Sequence, residues 1–131
     1  MRGLFIVLEG IDGAGTTTQL DRLTGWLESE GHKTYATFEP TDGPVGRYIR
    51  QVLRGDEVPP HPDVVALLFA ADRLDHVTRE MEPRLHSGVH VVCDRYLGSS
   101  FAYQGSHSEP GWVRAVNGHA PPPDLTLYVR V

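Results

Sequence analysis

Two spacings of hydrophobic positions alternate along the chain. Apolar runs predict strands at residues 3–9, 33–38, 89–94 and 124–131, and the first and third runs are continuous enough for strands buried on both faces. Between them lie segments with the three-to-four-residue spacing of an amphipathic helix: residues 16–30, 45–54, 63–88, 99–104 and 112–116. Buried strands that alternate with helices predict an α/β protein with a mostly parallel sheet and helices on both faces, a three-layer arrangement.

The long helix predicted at residues 63–88 has marked ends. Asp63 is expected to be its N-cap, because a side-chain carboxylate can accept hydrogen bonds from the free amides of a first helical turn. Gly88 is expected to end it. Pro83 is expected to kink it, since proline lacks a backbone N–H and its ring clashes with the preceding turn.

The composition fits one globular domain. The chain has 131 residues, of which 40% are apolar and 22% charged, values that favour neither disorder nor a membrane span. A net charge of −5 argues against nucleic acids and anionic membranes as partners. The single cysteine, Cys93, allows no internal disulfide and fits a reducing cytosol. With one cysteine and histidines that are scattered along the chain, a structural zinc site is disfavoured.

The segment "LEGIDGAGTTT" has the layout of a phosphate-binding P-loop. Gly10 and Gly15 have the spacing of G-x-x-x-x-G-K-[ST] and Thr17 supplies the hydroxyl, but Thr16 stands where the motif has lysine. Glycines let successive backbone N–H groups point at an anion, and the following helix adds its positive end. The alternative is a tight strand-to-helix turn. The predicted phosphate-binding residues are Gly10, Ile11, Asp12, Gly13, Ala14, Gly15, Thr16, Thr17 and Thr18.

A second acidic group follows the third predicted strand. Asp94 comes directly after the apolar run that ends at Cys93, where it could simply cap a loop. Beside a P-loop, an aspartate at the end of a neighbouring strand is placed to hold a magnesium ion together with the Thr17 hydroxyl. Thr17 and Asp94 are therefore the predicted metal site.

Four segments together resemble the thymidylate kinase family of P-loop nucleoside-monophosphate kinases. They are "FIVLEGIDGAG", "LLFAADRLDHV", "DRYLGSSFAYQG" and "PPPDLTLYVRV", in the family's order and spacing. The resemblance implies a cytoplasmic enzyme that transfers a phosphoryl group from ATP to dTMP with Mg²⁺, in dTTP biosynthesis. It implies no nucleic-acid or membrane partner, and a homodimer is one alternative to a monomer. Residues 1–131 would form a single P-loop kinase domain without the family's lid, last strand and last helices.

The resemblance also assigns base-binding residues. Phe69 would stack on thymine, and Arg73, one helical turn later, would donate to an exocyclic carbonyl of the base. Ser100 would contact the ring nitrogen. Without the resemblance, Phe69 reads as a core residue and Arg73 as a surface partner of Asp72 or Asp75.

The sugar and phosphate contacts follow in the same way. Arg95 would hold the acceptor phosphate, a task suited to a forked and permanently charged group. Tyr103 would crowd the 2′ side of the sugar and favour deoxyribose; the alternative is a half-buried packing residue. Asp12 would bind the 3′-hydroxyl or help the metal. Asp94, Arg95 and Asp12 are the predicted catalytic residues.

Departures from the family pattern leave a second interpretation open. Thr16 can hydrogen-bond but cannot neutralise phosphate charge, which could cost on the order of a thousandfold in rate. Phe38 stands where many members have arginine, and Gly13 where one branch has a P-loop arginine. The alternatives are a weak or inactive relative that binds dTMP without efficient turnover, and a P-loop kinase for another nucleotide.

Overall fold

Four strands lie side by side in the order β2-β3-β1-β4, and every pairing is parallel. The computed structural model describes residues 1–11, 14–56 and 58–130. The strands are β1 (Phe5–Glu9), β2 (Thr34–Phe38), β3 (His90–Asp94) and β4 (Leu125–Tyr128). The α-helices are α1 (Thr16–Ser29), α2 (Pro44–Arg54), α3 (Pro62–His76), α4 (Glu82–His86), α5 (Leu97–Tyr103) and α6 (Pro110–Val116). The predicted α/β fold with a parallel sheet is confirmed.

Helices cover both faces of the sheet because successive strand residues point to opposite sides. On one face, Ile6 and Leu8 of β1 pack with Leu20 of α1. On the other, Phe5 and Val7 pack with the helical segment that contains Val77, Met81 and Leu85. This arrangement is the predicted three-layer sandwich.

The outer strand β4 is more exposed than its apolar sequence predicts. Leu125 is 50% exposed and Tyr128 72% exposed, whereas the residues of β1 are buried. β4 pairs only with β1 among the described strands, so it lies at an edge of the sheet. The exposed side chains follow from this edge position, because an edge strand can have the same hydrophobic pattern as a central one.

The long helix differs from its prediction at its start and in its middle. His61, not Asp63, is the N-cap of α3: its Nδ1 accepts from the Asp63 backbone N–H at 3.0 Å. Pro62 takes the first helical position, where its missing N–H costs nothing, and this moves the cap two residues upstream. Instead of a simple kink at Pro83, the structure has a π-helical turn, Val77–Met81, between α3 and α4.

Parallel strands bring their carboxyl ends to one edge of the sheet, and this edge positions the site. Leu8 of β1 and Phe38 of β2 are both in register with Asp94 of β3. The polar residues that end or follow these strands, Glu9, Glu39 and Asp94, are therefore neighbours. In the described part of the chain, no helix is long and apolar enough to cross a bilayer.

Candidate active site

A cavity of about 520 Å³ opens at this edge, between α3 and α5. Residues that follow β2 and β3 form its floor, and Leu53 of α2 lies on its rim. The five predicted dTMP-binding residues that the structure describes all line it: Phe69, Arg73, Arg95, Ser100 and Tyr103. The sixth, Asp12, lies outside the described residues.

Phe69 and Ser100 present opposite chemistry to this cavity. The Phe69 ring is half-buried in the cavity wall, so it is not a fully enclosed core residue. Ser100 is 1% exposed, and its hydroxyl has no hydrogen-bond partner among the described residues. Because buried polar atoms are almost always paired, an unpaired hydroxyl beside a cavity indicates a ligand contact.

Arg73 is 2% exposed, and protein groups hold its guanidinium in place. Nε donates to Glu39 Oε1 at 2.8 Å, Nη1 to Asn117 Oδ1 at 2.7 Å and Nη2 to the Tyr96 carbonyl at 3.0 Å. The Tyr96 ring lies beneath the guanidinium at 5.1 Å. Arg73 is thus a fixed cation in the cavity wall.

The alternative of a surface Arg73 paired with a neighbouring aspartate is wrong. Asp72 instead accepts from the backbone N–H and the hydroxyl of Thr41, at 2.9 and 2.6 Å. Asp75 pairs with Arg79 at 2.6 Å. The helix turns Arg73 toward the cavity and leaves the Asp75–Arg79 pair near solvent.

Glu39 and His76 are site residues that sequence reasoning did not find. The second carboxylate oxygen of Glu39 lies 2.8 Å from His76 Nδ1, and both side chains are buried. Glu39 also donates its backbone N–H to the Asp94 carbonyl at 3.2 Å, which joins the ends of β2 and β3. The only local signal was a glutamate directly after a strand.

One group of potential metal ligands occurs in this buried region. Ligand atoms of Glu39, His76 and Cys93 lie within 4.8 Å of one another. Both Glu39 oxygens already accept hydrogen bonds, one of them from the Arg73 guanidinium. A cation here would face a fixed positive charge, so the group is better described as a hydrogen-bond network.

Burial also raises the pKa of two groups near the cavity, a thiol and a phenol. Burial raises the pKa of the Cys93 thiol well above its usual range, and the nearby Glu39 charge adds to the effect. The pKa of the Tyr96 phenol is raised for the same two reasons, with burial again the larger. Both groups therefore remain protonated at neutral pH.

Arg95 occupies an unusual backbone conformation. Its φ is +72°, the left-handed region that non-glycine residues rarely adopt, and its backbone N–H donates to the Leu8 carbonyl at 2.8 Å. Its guanidinium lies 5.9 Å from the centre of the Tyr103 ring. Such conformations persist where surrounding contacts fix them, and they concentrate at functional sites.

Glu9 holds the helix that presents Ser100. Its carboxylate accepts from the Tyr96 and Ser99 backbone N–H groups at 3.1 and 3.2 Å, and from the Ser99 hydroxyl at 2.6 Å. These contacts tie the start of α5 to the end of β1. Glu9 is a further residue that the sequence patterns did not reveal, because its partners lie about 90 positions away.

The phosphate turn, residues 10–18, leads from β1 into α1. The Ala14 N–H donates to the Ile11 carbonyl at 3.0 Å, and Gly15, at φ +84°, is the N-cap of α1. The next amide in a helical bond is that of Gln19, to Gly15, and no side chain of the described residues caps the helix. The amides of residues 16–18 thus precede the first helical bond and can face an anion. Two predicted phosphate-binding residues, Asp12 and Gly13, lie outside the described residues.

Thr16, which replaces the motif lysine, is 7% exposed. A Cβ atom placed on Gly10 would lie only 3.0 Å from the Thr16 methyl group, so the two residues are in close contact and a larger residue at position 10 would require its neighbours to shift. The threonine side chain brings no positive charge to the phosphate position.

Thr17 and Asp94, the predicted metal ligands, lie together. The Thr17 hydroxyl donates to Asp94 Oδ2 at 3.3 Å, while Asp94 Oδ1 is buried and has no partner among the described residues. Hydroxyl and carboxylate oxygens are the ligands that Mg²⁺ prefers. The donor set and the unpaired oxygen fit a magnesium ion.

Two arginines of α2, Arg50 and Arg54, do not line the cavity. Arg50 donates to the Pro40 carbonyl and to Asp42 and lies over the Phe38 ring at 5.2 Å. Arg54 pairs with Asp56 at 3.0 Å. The exposed Phe38 side chain thus supports an arginine and contributes no charge of its own.

A glycine turn between the central strand of a parallel sheet and a helix, with a threonine–aspartate pair beside it, defines a P-loop α/β protein. The family model described as thymidylate kinase matches residues 8–131. The chain belongs to the thymidylate kinase family.

Individual relatives agree with this assignment. A probable thymidylate kinase of Pyrococcus horikoshii is 46% identical over 134 residues, which cover 98% of this chain. A thymidylate kinase of Bifidobacterium longum is 46% identical over 123 residues and 89% of this chain. The chain spans 65% and 60% of the lengths of these two relatives.

Solved structures share the fold. The crystal structure of thymidylate kinase from Ehrlichia chaffeensis superposes with a TM-score of 0.86 at 28% identity, over 100% of this chain and 74% of that one. The Candida albicans thymidylate kinase also gives a TM-score of 0.86, at 24% identity, over 98% of this chain and 63% of that one.

Proposed function

We propose that this protein is a thymidylate kinase, which transfers the γ-phosphoryl group of ATP to dTMP and produces dTDP and ADP for dTTP biosynthesis. One observation supports this proposal above the others. A cavity with an aromatic wall, a fixed guanidinium and an unpaired hydroxyl opens beside a P-loop turn, at the same edge of one sheet. An acceptor base and a donor phosphate would thus be held within one site.

Thymine would lie in the cavity against Phe69. Stacking on an aromatic ring stabilises a base by roughly 1–3 kcal/mol and tolerates any base, so it contributes affinity rather than selectivity. The free donors of Arg73 would bind an exocyclic carbonyl of thymine, and the Ser100 hydroxyl would pair with the ring nitrogen. These polar contacts would select the base, because a mismatched base leaves buried groups unpaired.

The rest of dTMP would extend toward the ends of β1 and β3. Arg95 would hold the acceptor phosphate, and the Tyr103 ring beside it would exclude a 2′-hydroxyl. Asp12 would bind the 3′-hydroxyl. The fixed backbone of Arg95 favours this role, since a rigid anchor loses little freedom when the phosphate binds.

The phosphates of ATP would occupy residues 10–18, with backbone amides and the positive end of α1 as the main donors. Thr17 and Asp94 would hold Mg²⁺, which bridges phosphate oxygens and offsets their charge when bound. The acceptor oxygen would attack in line, without a covalent intermediate. The protein residues would position both phosphates and exclude water.

The proposal includes a cytoplasmic enzyme that forms one domain and acts on small nucleotides alone. α3 also presents an exposed apolar stripe formed by Val64, Leu67 and Leu74. Exposed aliphatic side chains at helical spacing suit contact with a second copy of the chain, so a homodimer is part of the proposal. Light scattering tests it: a Leu67→Glu variant should be monomeric, and an unchanged mass would contradict this surface.

A coupled assay for ADP formation, with dTMP, ATP and magnesium, tests the function. We expect turnover with dTMP and little with dGMP, and loss of turnover in Asp94→Asn, because the amide lacks the charge that the metal site needs. An Asp21→Asn variant on the exposed face of α1 serves as the matched control and should keep full activity. ADP formation that does not depend on dTMP would contradict the proposal.

A further inference from the structure

Four charged or ionisable side chains form a line from the protein surface to the cavity. Glu80 is partly exposed, and its carboxylate lies 3.1 Å from His76 Nε2. His76 Nδ1 lies 2.8 Å from Glu39, and Glu39 lies 2.8 Å from Arg73 Nε. The proposed dTMP contacts use only the last member of this line.

The Glu39 carboxylate requires a proton on one ring nitrogen of His76. An ionised carboxylate can only accept, so His76 Nδ1 must carry the proton that it shares with Glu39. Nε2 faces the Thr37 hydroxyl at 2.7 Å and the Glu80 carboxylate at 3.1 Å. Each oxygen of Glu39 thus has one dedicated donor.

This arrangement limits how Arg73 can move. Three of its five N–H donors are used by Glu39, Asn117 and the Tyr96 carbonyl, so two remain for a ligand. If His76 Nδ1 did not hold its oxygen, the Glu39 carboxylate could rotate and the Arg73 fork would turn with it. A guanidinium in a buried site selects a ligand only while its donors keep their direction.

We propose that His76 is a positioning residue that acts through Glu39 to orient Arg73 and so determines the base selectivity of the cavity. The proposal rests on the proposed function, because it assumes a pyrimidine nucleotide in the cavity. His76 itself does not line the cavity. Its effect would reach the ligand only through the carboxylate.

The donors of Arg73 predict which bases the cavity binds more tightly. Arg73 can only donate, so it favours a carbonyl at position 4 of the pyrimidine and disfavours an amine there. dTMP and 5-methyl-dCMP provide the comparison, because both have the 5-methyl group and they differ at position 4 and in the proton on the ring nitrogen. The ratio of their dissociation constants measures the orientation of Arg73.

Two substitutions distinguish the roles of the two ring nitrogens of His76. In His76→Asn the amide N–H can take the place of Nδ1–H, whereas in His76→Gln the amide reaches the place of Nε2 and leaves Glu39 without its donor. We expect the ratio to fall about tenfold in His76→Gln and to stay near the wild-type value in His76→Asn. His86→Gln, an exposed histidine near the end of the same helical segment, is the matched control and should change nothing.

The outcomes are distinct. An unchanged ratio in His76→Gln, with dTMP still preferred, would overturn the positioning role and leave the proposed function intact. Equal losses in His76→Gln and His76→Asn would overturn the assignment to Nδ1. A wild-type protein that binds neither nucleotide, or both equally, would overturn the proposed function and this inference with it.

A measurement on the wild-type protein tests the proposal even if the variants fail to fold. The ¹⁵N resonances of the imidazole report which ring nitrogen carries a proton, and the Arg73 Nε–H signal reports its protection from exchange. We expect a proton on His76 Nδ1 and a slowly exchanging Arg73 Nε–H before any nucleotide is added. A proton on Nε2 alone, or rapid exchange at Arg73, would overturn the proposal.

Discussion

The cavity proposed to bind the acceptor nucleotide (the acceptor cavity) and the phosphate turn lie at the same edge of the sheet, but different groups form them. In the cavity, Arg73 of α3 is held by three protein groups: the Glu39 carboxylate after β2, the Tyr96 carbonyl before α5 and the Asn117 amide after α6. In the phosphate turn, the described amides at the start of α1 precede the first helical bond, and no side chain caps them. Protein groups therefore satisfy the hydrogen-bond donors that hold the cavity in place, whereas the described amides at the start of α1 are left for an anion.

The difference indicates where each kind of specificity resides. Base selectivity depends on fixed direction, which a network of buried hydrogen bonds provides before the ligand arrives. Phosphate binding depends on charge and backbone amides, which accept any phosphate of suitable size. Thr16 makes the phosphate turn depend still more on backbone amides, because this turn lacks the lysine charge that the motif usually provides.

The largest effect is expected from Arg73→Met, which leaves the buried Glu39 carboxylate without its cation. Removing one partner of a buried pair costs about 3–5 kcal/mol, so the free energy of unfolding should fall by that amount in urea titrations. The double variant Arg73→Met with Glu39→Gln should recover part of the loss. A drop below about 1 kcal/mol would show that the cavity is not held as described.

Thr16→Lys tests the other side of the comparison. The added ammonium would supply charge to the transferring phosphate, so kcat for ADP formation should rise by about tenfold to a thousandfold while the dTMP dissociation constant stays unchanged. Gln19→Lys, an exposed position one turn further along α1, is the matched control for charge alone. Equal gains in both variants would point to general electrostatic attraction, and no gain in either would show that the turn does not lack a charge.

Ser99 and Ser100 are neighbours with opposite expected responses. Ser100→Ala removes an unpaired buried hydroxyl, so the free protein should become more stable by about 1 kcal/mol while dTMP affinity falls several-fold. Ser99→Ala removes a hydrogen bond to Glu9, so stability should fall by about 1 kcal/mol. Thermal unfolding with and without dTMP measures both. A destabilised Ser100→Ala variant would mean that its hydroxyl has a structural partner.

The smallest effect concerns an exposed ion pair that sets the scale for the buried one. Arg2 donates to Glu82 at 3.1 and 3.2 Å, and this hydrogen bond holds the pKa of Glu82 below its usual range. The pair should therefore stabilise the fold above about pH 4.3, and its contribution should disappear as the pH falls through the lowered pKa.

Arg2→Ala checks that contribution. Because the pair is partly exposed, the loss should be about 0.5 kcal/mol at pH 6 and near zero at pH 3. A difference between the two proteins that grows toward acid pH would contradict the sign of this linkage.

The fold was predictable because each strand and helix is indicated by the residues within its own segment. Buried runs and helical spacing fix the element types, and parallel strands bring their carboxyl ends together whatever the loops contain. The error at the start of α3 arose because Pro62 takes the first helical position, which moved the cap from Asp63 to His61.

The site was predictable only in part. Phe69, Arg73, Arg95, Ser100 and Tyr103 line one cavity, as the family resemblance implied. The partners that hold Arg73 in position had no such signal. Glu39 lies 34 residues and Asn117 44 residues from Arg73 in sequence, and His76 lies 37 residues from Glu39, so only the folded chain brings them together.

We expect the acceptor cavity to be complete before the phosphate turn binds ATP. Calorimetric titration of dTMP into the protein, first without and then with magnesium and a non-hydrolysable ATP analogue, is the test. We expect dTMP to bind in both conditions, with dissociation constants that agree within about threefold, a difference of about 0.7 kcal/mol. Binding that appears only when the analogue is present would contradict it.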